Sequence, residues 1–255
     1  MISRLVNLVD AFYRFRGTTW QENLQNICSR LHIPLLAHIV EVLLFKNLKI
    51  WEAGVSSLLS NTNGKLFVDI GACYGRYTVL LGKKYKQIIA IEPEPRNMWI
   101  MRCNVNYAHL KNVQFLQCAV SDRNGYCYMY LGKRPDWHTL CVPLKKGKLK
   151  VKTLTLSQIL RDCDADLVKV DVEGAEWLVL RGAEPVVDKI QSWVVELHDL
   201  KRKKELEEWF ISHGYFVQWI EPFHIFAWKE LDQFHFKFET SVSISNEQGA
   251  TISGE

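Results

Sequence analysis

Between residues 61 and about 230 the sequence alternates short apolar or β-branched runs with longer segments of helical character. The runs that fit β-strands are KLFVDI, QIIAIE, VQFLQCAV, DLVKVDV, SWVVEL, YFVQWI and HIFAWK. This alternation predicts an α/β fold with a seven-stranded, mostly parallel sheet. Only EPF separates the last two runs, and because it is too short for a crossover helix we expect an antiparallel hairpin there.

The composition limits the kind of protein that this chain can be. Its 255 residues are 48% hydrophobic and 24% charged, which is typical of one globular domain with additions. A net charge of +4 allows an anionic partner without requiring one. The seven cysteines form no CxxC pair and indicate neither a zinc module nor a disulfide scaffold, so a cytoplasmic location is predicted. The most apolar run, IPLLAHIVEVLLF, is too short to span a bilayer, and no membrane anchor is predicted.

The patterning along the chain divides it into three zones. Residues 1–60 carry apolar residues at three- and four-residue spacing, which predicts a helical N-terminal cap packed on the main domain; a lid over the substrate is the alternative. Residues 61–235 hold the α/β domain. Residues 236–255 have little apolar periodicity and predict a disordered tail, in which only TSVSIS has the character of an edge strand.

The first strand runs into the turn FVDIGACYGRYT, where Gly71 and Gly75 precede a helical segment. In an open α/β sheet the ligand binds outside the carboxyl ends of the strands, and glycines at the first turn let a cofactor approach the backbone. The next strand ends at Glu92, 21 positions after Gly71, which suits a carboxylate that accepts hydrogen bonds from ribose hydroxyls. These residues indicate a nucleoside cofactor of either the NAD or the S-adenosylmethionine type.

Two details of this turn favour S-adenosylmethionine. A dinucleotide needs a G-x-G-x-x-G turn for its pyrophosphate, whereas here the bulky Cys73 and Tyr74 stand between glycines four positions apart. Asp69 places a carboxylate where it can pair with the ammonium group of the cofactor, and an anionic pyrophosphate would be repelled there.

Ionisable side chains cluster in the segment DLVKVDVEGAEWLVLRGA. Alternation along a strand places Lys169, Asp171 and Glu173 on one face. Such a cluster either forms ion pairs that connect the strand to the loop or belongs to a functional site. We interpret Asp171 as functional and leave both interpretations open for Glu173. Gly174 is expected to open the following helix and Gly182 to close it.

The next strand, in SWVVELHDL, carries Glu196 and His198 on one face at its carboxyl end. A substrate group would meet the cofactor at this end of the sheet. A lone histidine is more often merely hydrogen-bonded than catalytic, but a histidine partnered by a carboxylate at this position is a candidate general base.

Six blocks of the sequence resemble, in order and spacing, the FkbM-type S-adenosylmethionine-dependent methyltransferases: FVDIGACYGRYT, IAIEPEPRNMWIMRCNVNYA, NVQFLQCAVSDRNG, VKTLTLSQIL, DLVKVDVEGAEWLVLRGA and VVELHD. The resemblance covers about residues 64–200. It implies a Rossmann-like class I methyltransferase fold and transfer of a methyl group, usually to a hydroxyl oxygen. Cys73 departs from the family, which usually has Asn at that position.

The resemblance also implies a set of cofactor-binding residues. Those expected around the methionine part are Asp69, Gly71, Ala72 and Gly75, with Tyr74 in the same turn. Glu92 is expected to hold the ribose, with Pro93 beside it, and Ala119 and Val120 to flank the adenine.

Methyl transfer from a sulfonium to a hydroxyl needs alignment of the reactants and removal of a proton, so a base or a metal ion is expected. We predict that Asp171 positions the acceptor and that His198, held by Glu196, takes the proton. In the competing arrangement Asp171, Glu173 and His198 bind a divalent metal ion that lowers the pKa of the hydroxyl. Mixed oxygen and nitrogen ligands suit several metals.

The segment GKRPDWHTLCVPLKKGKLKVK is rich in lysine and has Trp137 and His138 at its centre. Its two interpretations are a solvated β-hairpin and a substrate-binding lid. The predicted function is O-methylation of a hydroxyl on a sugar, glycan or small metabolite. A nucleic-acid methyltransferase is the first alternative, since mixed basic and aromatic residues also bind RNA, and a non-enzymatic binding module on the same fold is the second.

Overall fold

The computed structural model describes residues 52–132, 137–144 and 147–229. Most of the helical cap predicted for residues 1–60 lies outside the described residues, and only its last part, residues 53–60, is seen as a helix. The tail predicted for residues 236–255 lies entirely outside them, as do residues 133–136 and 145–146 of the basic segment.

Strands and helices alternate over most of the described chain. The strands are β1 (Gly64–Ile70), β2 (Tyr85–Ile91), β3 (Val113–Leu116), β4 (Ala119–Val120), β5 (Gly125–Tyr130), β6 (Lys148–Leu154), β7 (Leu167–Val170), β8 (Ser192–Glu196), β9 (Phe216–Glu221) and β10 (His224–Trp228). The α-helices are α1 (Ala53–Ser60), α2 (Arg76–Leu81), α3 (Pro95–Tyr107), α4 (Leu156–Ile159), α5 (Glu176–Ala183) and α6 (Lys203–Ser212). Short 3-10 helices span Glu184–Lys189 and Leu200–Arg202.

The main sheet has seven strands in the order β3-β2-β1-β7-β8-β10-β9. The pairs from β3 to β8 are parallel, whereas β10 is antiparallel to both β8 and β9. The predicted α/β fold, a mostly parallel sheet that ends in an antiparallel hairpin, is therefore confirmed. The chain reverses its direction of winding between β1 and β7, and open α/β sheets bind ligands at such switch points.

Helices cover both faces of this sheet. Alternate residues of β1 separate into two cores: Leu66, Val68 and Ile70 pack with side chains from α5 and α6, and Phe67 packs with side chains from α1 and α2. Because both faces are buried, the central strands appear in the sequence as continuous apolar runs. No helix in the described part of the chain combines the length and the apolar character required to traverse a bilayer.

A second, three-stranded sheet has the order β4-β6-β5. The single strand predicted from VQFLQCAV is broken, because the backbone N–H of Cys118 donates to the carbonyl of Leu116 in a tight turn. β3 stays in the main sheet and β4 pairs in parallel with β6. β5 is antiparallel to β6, with Tyr130 opposite Lys148, so the basic segment leaves and re-enters the small sheet as a β-hairpin.

The helix after β7 differs from the prediction at both ends. It begins at Glu176, two residues after Gly174, and it runs directly from Ala183 into a 3-10 helix. Gly182 therefore lies inside the helix and does not close it. An added Cβ at Gly182 would lie 2.2 Å from the carbonyl oxygen of Ser121, so this glycine permits the close approach of α5 to the chain after β4.

Candidate active site

A cleft opens at the carboxyl ends of β1, β2 and β7, where the winding of the sheet reverses. Residues at these strand ends line it, among them Ile70, Ile91 and Asp171. Of the residues predicted to bind the cofactor, those that line the cleft are Gly71, Glu92, Pro93, Ala119 and Val120. Those that are not among its lining residues are Asp69, Ala72, Tyr74 and Gly75.

The two glycines of the turn after β1 are required by contacts within the protein itself. Gly71 has a φ of 75°, and an added Cβ would lie 1.7 Å from the carbonyl oxygen of Asp171. Gly75 has a φ of 80°, and an added Cβ would lie 2.7 Å from the side chain of Met101. Both positions exclude a larger residue even without a ligand, and the turn after β1 is packed directly against the turn after β7.

Glu92 follows β2 and presents a buried carboxylate to the cleft. Its Oε2 accepts a hydrogen bond from the backbone N–H of Cys73 and its Oε1 from that of Glu94, both at 2.9 Å. Burial raises the pKa of Glu92 to about 7, although the backbone amides of Glu94 and Cys73 lower it. The two amides fix the carboxylate, and each oxygen keeps a second lone pair for a ligand hydroxyl.

Asp69 is completely buried beneath the cleft. Its Oδ2 accepts a hydrogen bond from the Thr78 hydroxyl at 2.6 Å, and its Oδ1 has no hydrogen-bond partner within the described part of the chain. Burial raises the pKa of Asp69, against the lowering effect of Lys169 and Thr78. The pairing of Asp69 with a cofactor ammonium group stays a prediction, and it requires that group to reach below the surface of the cleft.

Lys169 and Asp171 form an ion pair at the end of β7. The buried ammonium of Lys169 lies 3.0 Å from Oδ2 of Asp171. Burial alone would raise the pKa of Asp171, but Lys169 and His198 lower it below its ordinary range. Asp171 also lines the cleft, so this fixed carboxylate can accept a hydrogen bond from a substrate hydroxyl. Asp171 is therefore both a member of an ion pair and a residue that lines the cleft.

His198 lies between two carboxylates, and Glu196 is neither of them. Its Nδ1 is 2.8 Å from Oε1 of Glu176 and its Nε2 is 3.1 Å from Oε2 of Glu173, whereas Glu196 is 3.9 Å away. The prediction that Glu196 holds His198 is therefore corrected. Burial lowers the pKa of His198, but hydrogen bonds to Glu173 and Glu176 outweigh it and raise the pKa to about 11. An imidazolium that donates both N–H groups has no lone pair to accept a proton.

The turn after β7 explains why Glu173 meets His198. β7 ends at Val170, and Glu173 and Gly174 then adopt left-handed backbone conformations with φ of 51° and 96°. The alternation predicted from the sequence therefore stops before Glu173, which does not share a face with Lys169. A left-handed glutamate is uncommon, and backbone strain of this kind clusters at functional sites.

Glu176 stabilises this turn, and the sequence did not predict a role for it. Its buried Oε1 accepts hydrogen bonds from the backbone N–H of Gly174 and from His198 Nδ1, both at 2.8 Å. Glu176 lies in the block DLVKVDVEGAEWLVLRGA, where it ends the pattern K-x-D-x-E-G-x-E. That block therefore contains the residue, but not its partner. The fold of the turn brings this carboxylate to His198, which follows β8.

The small sheet and its hairpin supply a further wall of the cleft. Met129 of β5, His138 and Leu140 line it, and His138 Nδ1 accepts a hydrogen bond from the backbone N–H of Gly132 at 3.0 Å. The middle of the basic segment thus faces the cleft, while Lys148 and the other lysines of β6 face solvent. The exposed lysines fit the solvated hairpin, and the substrate-binding lid stays a prediction.

The predicted metal ligands are not the group that the structure brings together. Ligand atoms of Asp171, Glu196 and His198 lie within 4.8 Å of one another, whereas Glu173 is bonded to His198 instead. In that group Oδ2 of Asp171 is ion-paired with Lys169, and each ring nitrogen of His198 lies within 3.1 Å of a carboxylate oxygen. The geometry favours these residues as ion-paired groups rather than as metal ligands.

The strand order and the cleft at the switch point together define the Rossmann-like class I methyltransferase fold. Residues 69–221 match the family model described as the methyltransferase FkbM domain. The chain therefore belongs to the FkbM family of S-adenosylmethionine-dependent methyltransferases, as the sequence blocks predicted.

Two curated relatives are similar to this chain. Methyltransferase 1 of Beauveria bassiana is 30% identical over 52% of this chain and 65% of its own length. Methyltransferase sdnD of Sordaria araneosa is 31% identical over 51% of this chain and 63% of its own length. The chain thus spans less than two thirds of each. A solved structure, methyltransferase FkbM from Methylobacillus flagellatus KT, has a TM-score of 0.47 and 17% identity over 65% of this chain and 44% of that chain.

Proposed function

We propose that this chain is an S-adenosylmethionine-dependent O-methyltransferase whose acceptor is a hydroxyl of a sugar, glycan or small metabolite. One observation carries the proposal. A single cleft joins an ionisable, backbone-fixed carboxylate suited to a ribose, Glu92, to a pair of carboxylates suited to a hydroxyl acceptor, Asp171 and Glu173.

The cofactor fits this cleft in one direction. Glu92 accepts the hydrogen bonds of the ribose hydroxyls, and the apolar wall formed by Ala119 and Val120 covers the adenine. The methionine part then lies against the turn at Gly71, above the buried carboxyl of Asp69. This placement directs the methyl group toward the carboxylates at the end of β7.

The acceptor hydroxyl binds between Asp171 and Glu173. In the reaction the acceptor oxygen forms a bond to the methyl carbon, the bond from that carbon to the cofactor sulfur breaks, and the hydroxyl proton passes to a carboxylate. Burial raises the pKa of Glu173 despite the opposing effect of His198, which makes this carboxylate a stronger proton acceptor than an ordinary glutamate. We therefore assign the proton to Glu173, in place of His198, and Asp171 positions the acceptor. His198 acts through Glu173 as a positioning residue.

Substitution of Glu173 tests this assignment. Glu173→Gln should lower turnover at least about 100-fold on an acceptor that the wild-type chain methylates, because a carboxamide cannot take the proton. Formation of S-adenosylhomocysteine and the methylated product would be measured across sugars, small alcohols, phenols and RNA. Glu208→Gln, at an exposed position, is the matched control and should retain wild-type turnover.

The outcomes separate the parts of the proposal. Wild-type turnover in Glu173→Gln would remove the base from that residue. Cofactor binding without methylation of any acceptor in the panel would favour the non-enzymatic binding module. In either case binding of S-adenosylhomocysteine, measured by calorimetry on each variant, shows whether the cofactor site is intact.

A second candidate, methylation of nucleic acid, is favoured by the outer face of the small sheet. Tyr126 and Tyr128 are 69% and 50% exposed, and the ammonium groups of Lys150 and Lys148 lie 5.0 and 4.2 Å from their ring centroids. Exposed aromatic rings beside cations can stack bases and contact phosphates. RNA binding that weakens steeply with salt and falls in Tyr128→Ala, together with RNA methylation, would support this candidate over the first.

A further inference from the structure

A second group of metal-ligating side chains lies on the far side of Glu196 from His198. Glu52 immediately precedes α1, Glu196 ends β8 and His224 begins β10. Each offers a ligand atom, and these atoms all lie within 4.8 Å of one another. The group joins three segments that are distant in the sequence.

His224 provides an observation that is independent of the carboxylates. Its side chain is buried, with only 2% of the residue exposed, and neither ring nitrogen has a hydrogen-bond partner among the residues that the structure describes. A buried imidazole normally satisfies its nitrogens, because leaving such a group unpaired costs about 1–3 kcal/mol. His224 nevertheless points its nitrogens at carboxylates, at 3.5 Å from Oε2 of Glu196 and 3.7 Å from Oε2 of Glu221.

Both separations are longer than a good hydrogen bond, and the one to Glu196 suits two ligands that share an ion. Two ligand atoms about 2.05 Å from a tetrahedral Zn²⁺ ion lie about 3.4 Å apart. The distance between His224 Nε2 and Glu196 Oε2, 3.5 Å, is close to this value. The cross-strand pairing of His224 with Glu196 places them side by side, and a bulge follows His224 in its pairing with β9.

Glu221 has the position of the outer carboxylate that usually accompanies a metal-binding histidine. It faces Nδ1 of His224, the nitrogen away from the proposed ion, and its Oε1 accepts a hydrogen bond from the backbone N–H of Gly54 at 2.8 Å. Histidine ligands commonly donate their second N–H to such a carboxylate, which fixes the tautomer and the orientation of the ring.

We propose that Glu52, Glu196 and His224 form a binding site for a divalent transition-metal ion of the Zn²⁺ type. One imidazole nitrogen and two carboxylate oxygens are three protein ligands, which leaves one tetrahedral position for water. An imidazole ligand favours Zn²⁺ over Mg²⁺, which prefers six oxygen ligands. The ion connects the segment before α1 to the carboxyl end of β8 through Glu52 and Glu196. The site shares Glu196 with the Asp171–Glu196–His198 group but takes its histidine from β10, and it does not depend on the proposed methyl transfer.

Zn²⁺ titration of the chelator-treated, full-length chain tests the proposal. Calorimetry should show one Zn²⁺ bound per chain, and Co²⁺ in its place should give visible d–d absorption. His224→Ala should weaken Zn²⁺ binding at least about 100-fold and Glu52→Gln at least about tenfold, and loss of the outer carboxylate in Glu221→Gln should weaken it about 10–100-fold. His213→Ala is the matched control, since His213 also faces a carboxylate, Glu184, at 3.1 Å.

Circular dichroism would establish that each variant is folded, and Glu52→Gln decides the question if His224→Ala does not fold. Zn²⁺ binding that survives His198→Ala but not His224→Ala or Glu52→Gln supports the site. Absence of Zn²⁺ binding by the wild-type chain would overturn it. So would binding that depends on His198 alone, since the ion would then belong to the neighbouring group.

Discussion

At the scale of single residues, the charge state of His198 decides how the acid–base groups at the cleft can work. The imidazole is enclosed by Glu173 and Glu176, and both nitrogens are within hydrogen-bonding distance of a carboxylate. The ring is therefore a cation at neutral pH, and a proton released by an acceptor has to go elsewhere. In the proposed function Glu173 takes this proton, because it lines the cleft beside Asp171 and burial raises its pKa.

His198 should stay protonated to high pH and make stability depend on pH. Its pKa is raised from 6.5 to about 11, so its contribution is complete below pH 6.5 and is lost as pH rises toward 11. Within that window the free energy of unfolding should fall by up to about 1.4 kcal/mol per pH unit. NMR titration of the His198 ring should show no transition between pH 6 and 9. A transition near pH 6.5 would show that Glu173 and Glu176 do not stabilise the protonated ring of His198.

Lys169 should be a large single contributor to stability. Lys169→Met leaves the carboxylate of Asp171 and the buried carboxyl of Asp69 without their shared cation, which should cost about 3–5 kcal/mol of unfolding free energy. Denaturation in urea would measure it, with the exposed Lys204→Met as a control expected to change stability by less than about 0.5 kcal/mol. A loss below 1 kcal/mol in Lys169→Met would contradict the ion-pair account.

At the scale of elements, the turns after β1 and β7 act as one unit. Gly71 packs on the carbonyl of Asp171, and the left-handed pair at Glu173 and Gly174 then aims a carboxylate at His198. The cleft is therefore shaped by turn-to-turn packing as much as by the strands. Changes in either turn should propagate to both halves of the site.

Two glycine substitutions separate backbone strain from this packing. Gly71 and Gly214 have similar φ values, 75° and 79°, but an added Cβ at Gly214 would meet nothing within 4 Å. Gly214→Ala should cost about 1–2 kcal/mol for the left-handed conformation alone. Gly71→Ala should cost a further 1–3 kcal/mol or more, because its Cβ would collide with the Asp171 carbonyl. If urea denaturation gave equal losses of unfolding free energy for the two variants, the turns after β1 and β7 would not be packed together.

The elements also show where sequence reasoning works. Apolar runs predicted the seven strands of the main sheet because burial on both faces leaves a continuous signal. The tight turn at Cys118 and the left-handed turn at Glu173 were not predicted, because a single backbone hydrogen bond or φ value leaves no pattern in residue types. Gly182 was misinterpreted because its purpose is a contact with Ser121, which is distant in the sequence.

At the scale of the whole molecule, the connection lengths were sufficient to predict the sheet and the place of the cleft. Residues that follow strands converge at the switch point, so Gly71, Glu92 and Asp171 were predicted to lie together and line one cleft. Two partners supplied by other elements were not predicted: Glu176 comes from α5, and Leu140 comes from the hairpin of the small sheet. Their positions follow from tertiary packing, which no local pattern encodes.

The most direct test of the account is calorimetric titration of the chain with S-adenosylhomocysteine at pH 6 and pH 8, for the wild type and for Glu92→Gln. The ribose hydroxyls need an ionised Glu92, whose pKa is about 7, so wild-type affinity should be about tenfold weaker at pH 6 than at pH 8. Glu92→Gln should bind at least about tenfold more weakly at pH 8 and lose this pH dependence. A folded wild-type chain that does not bind the cofactor product, or a Glu92→Gln variant that binds as the wild type does, would contradict the proposed cofactor site.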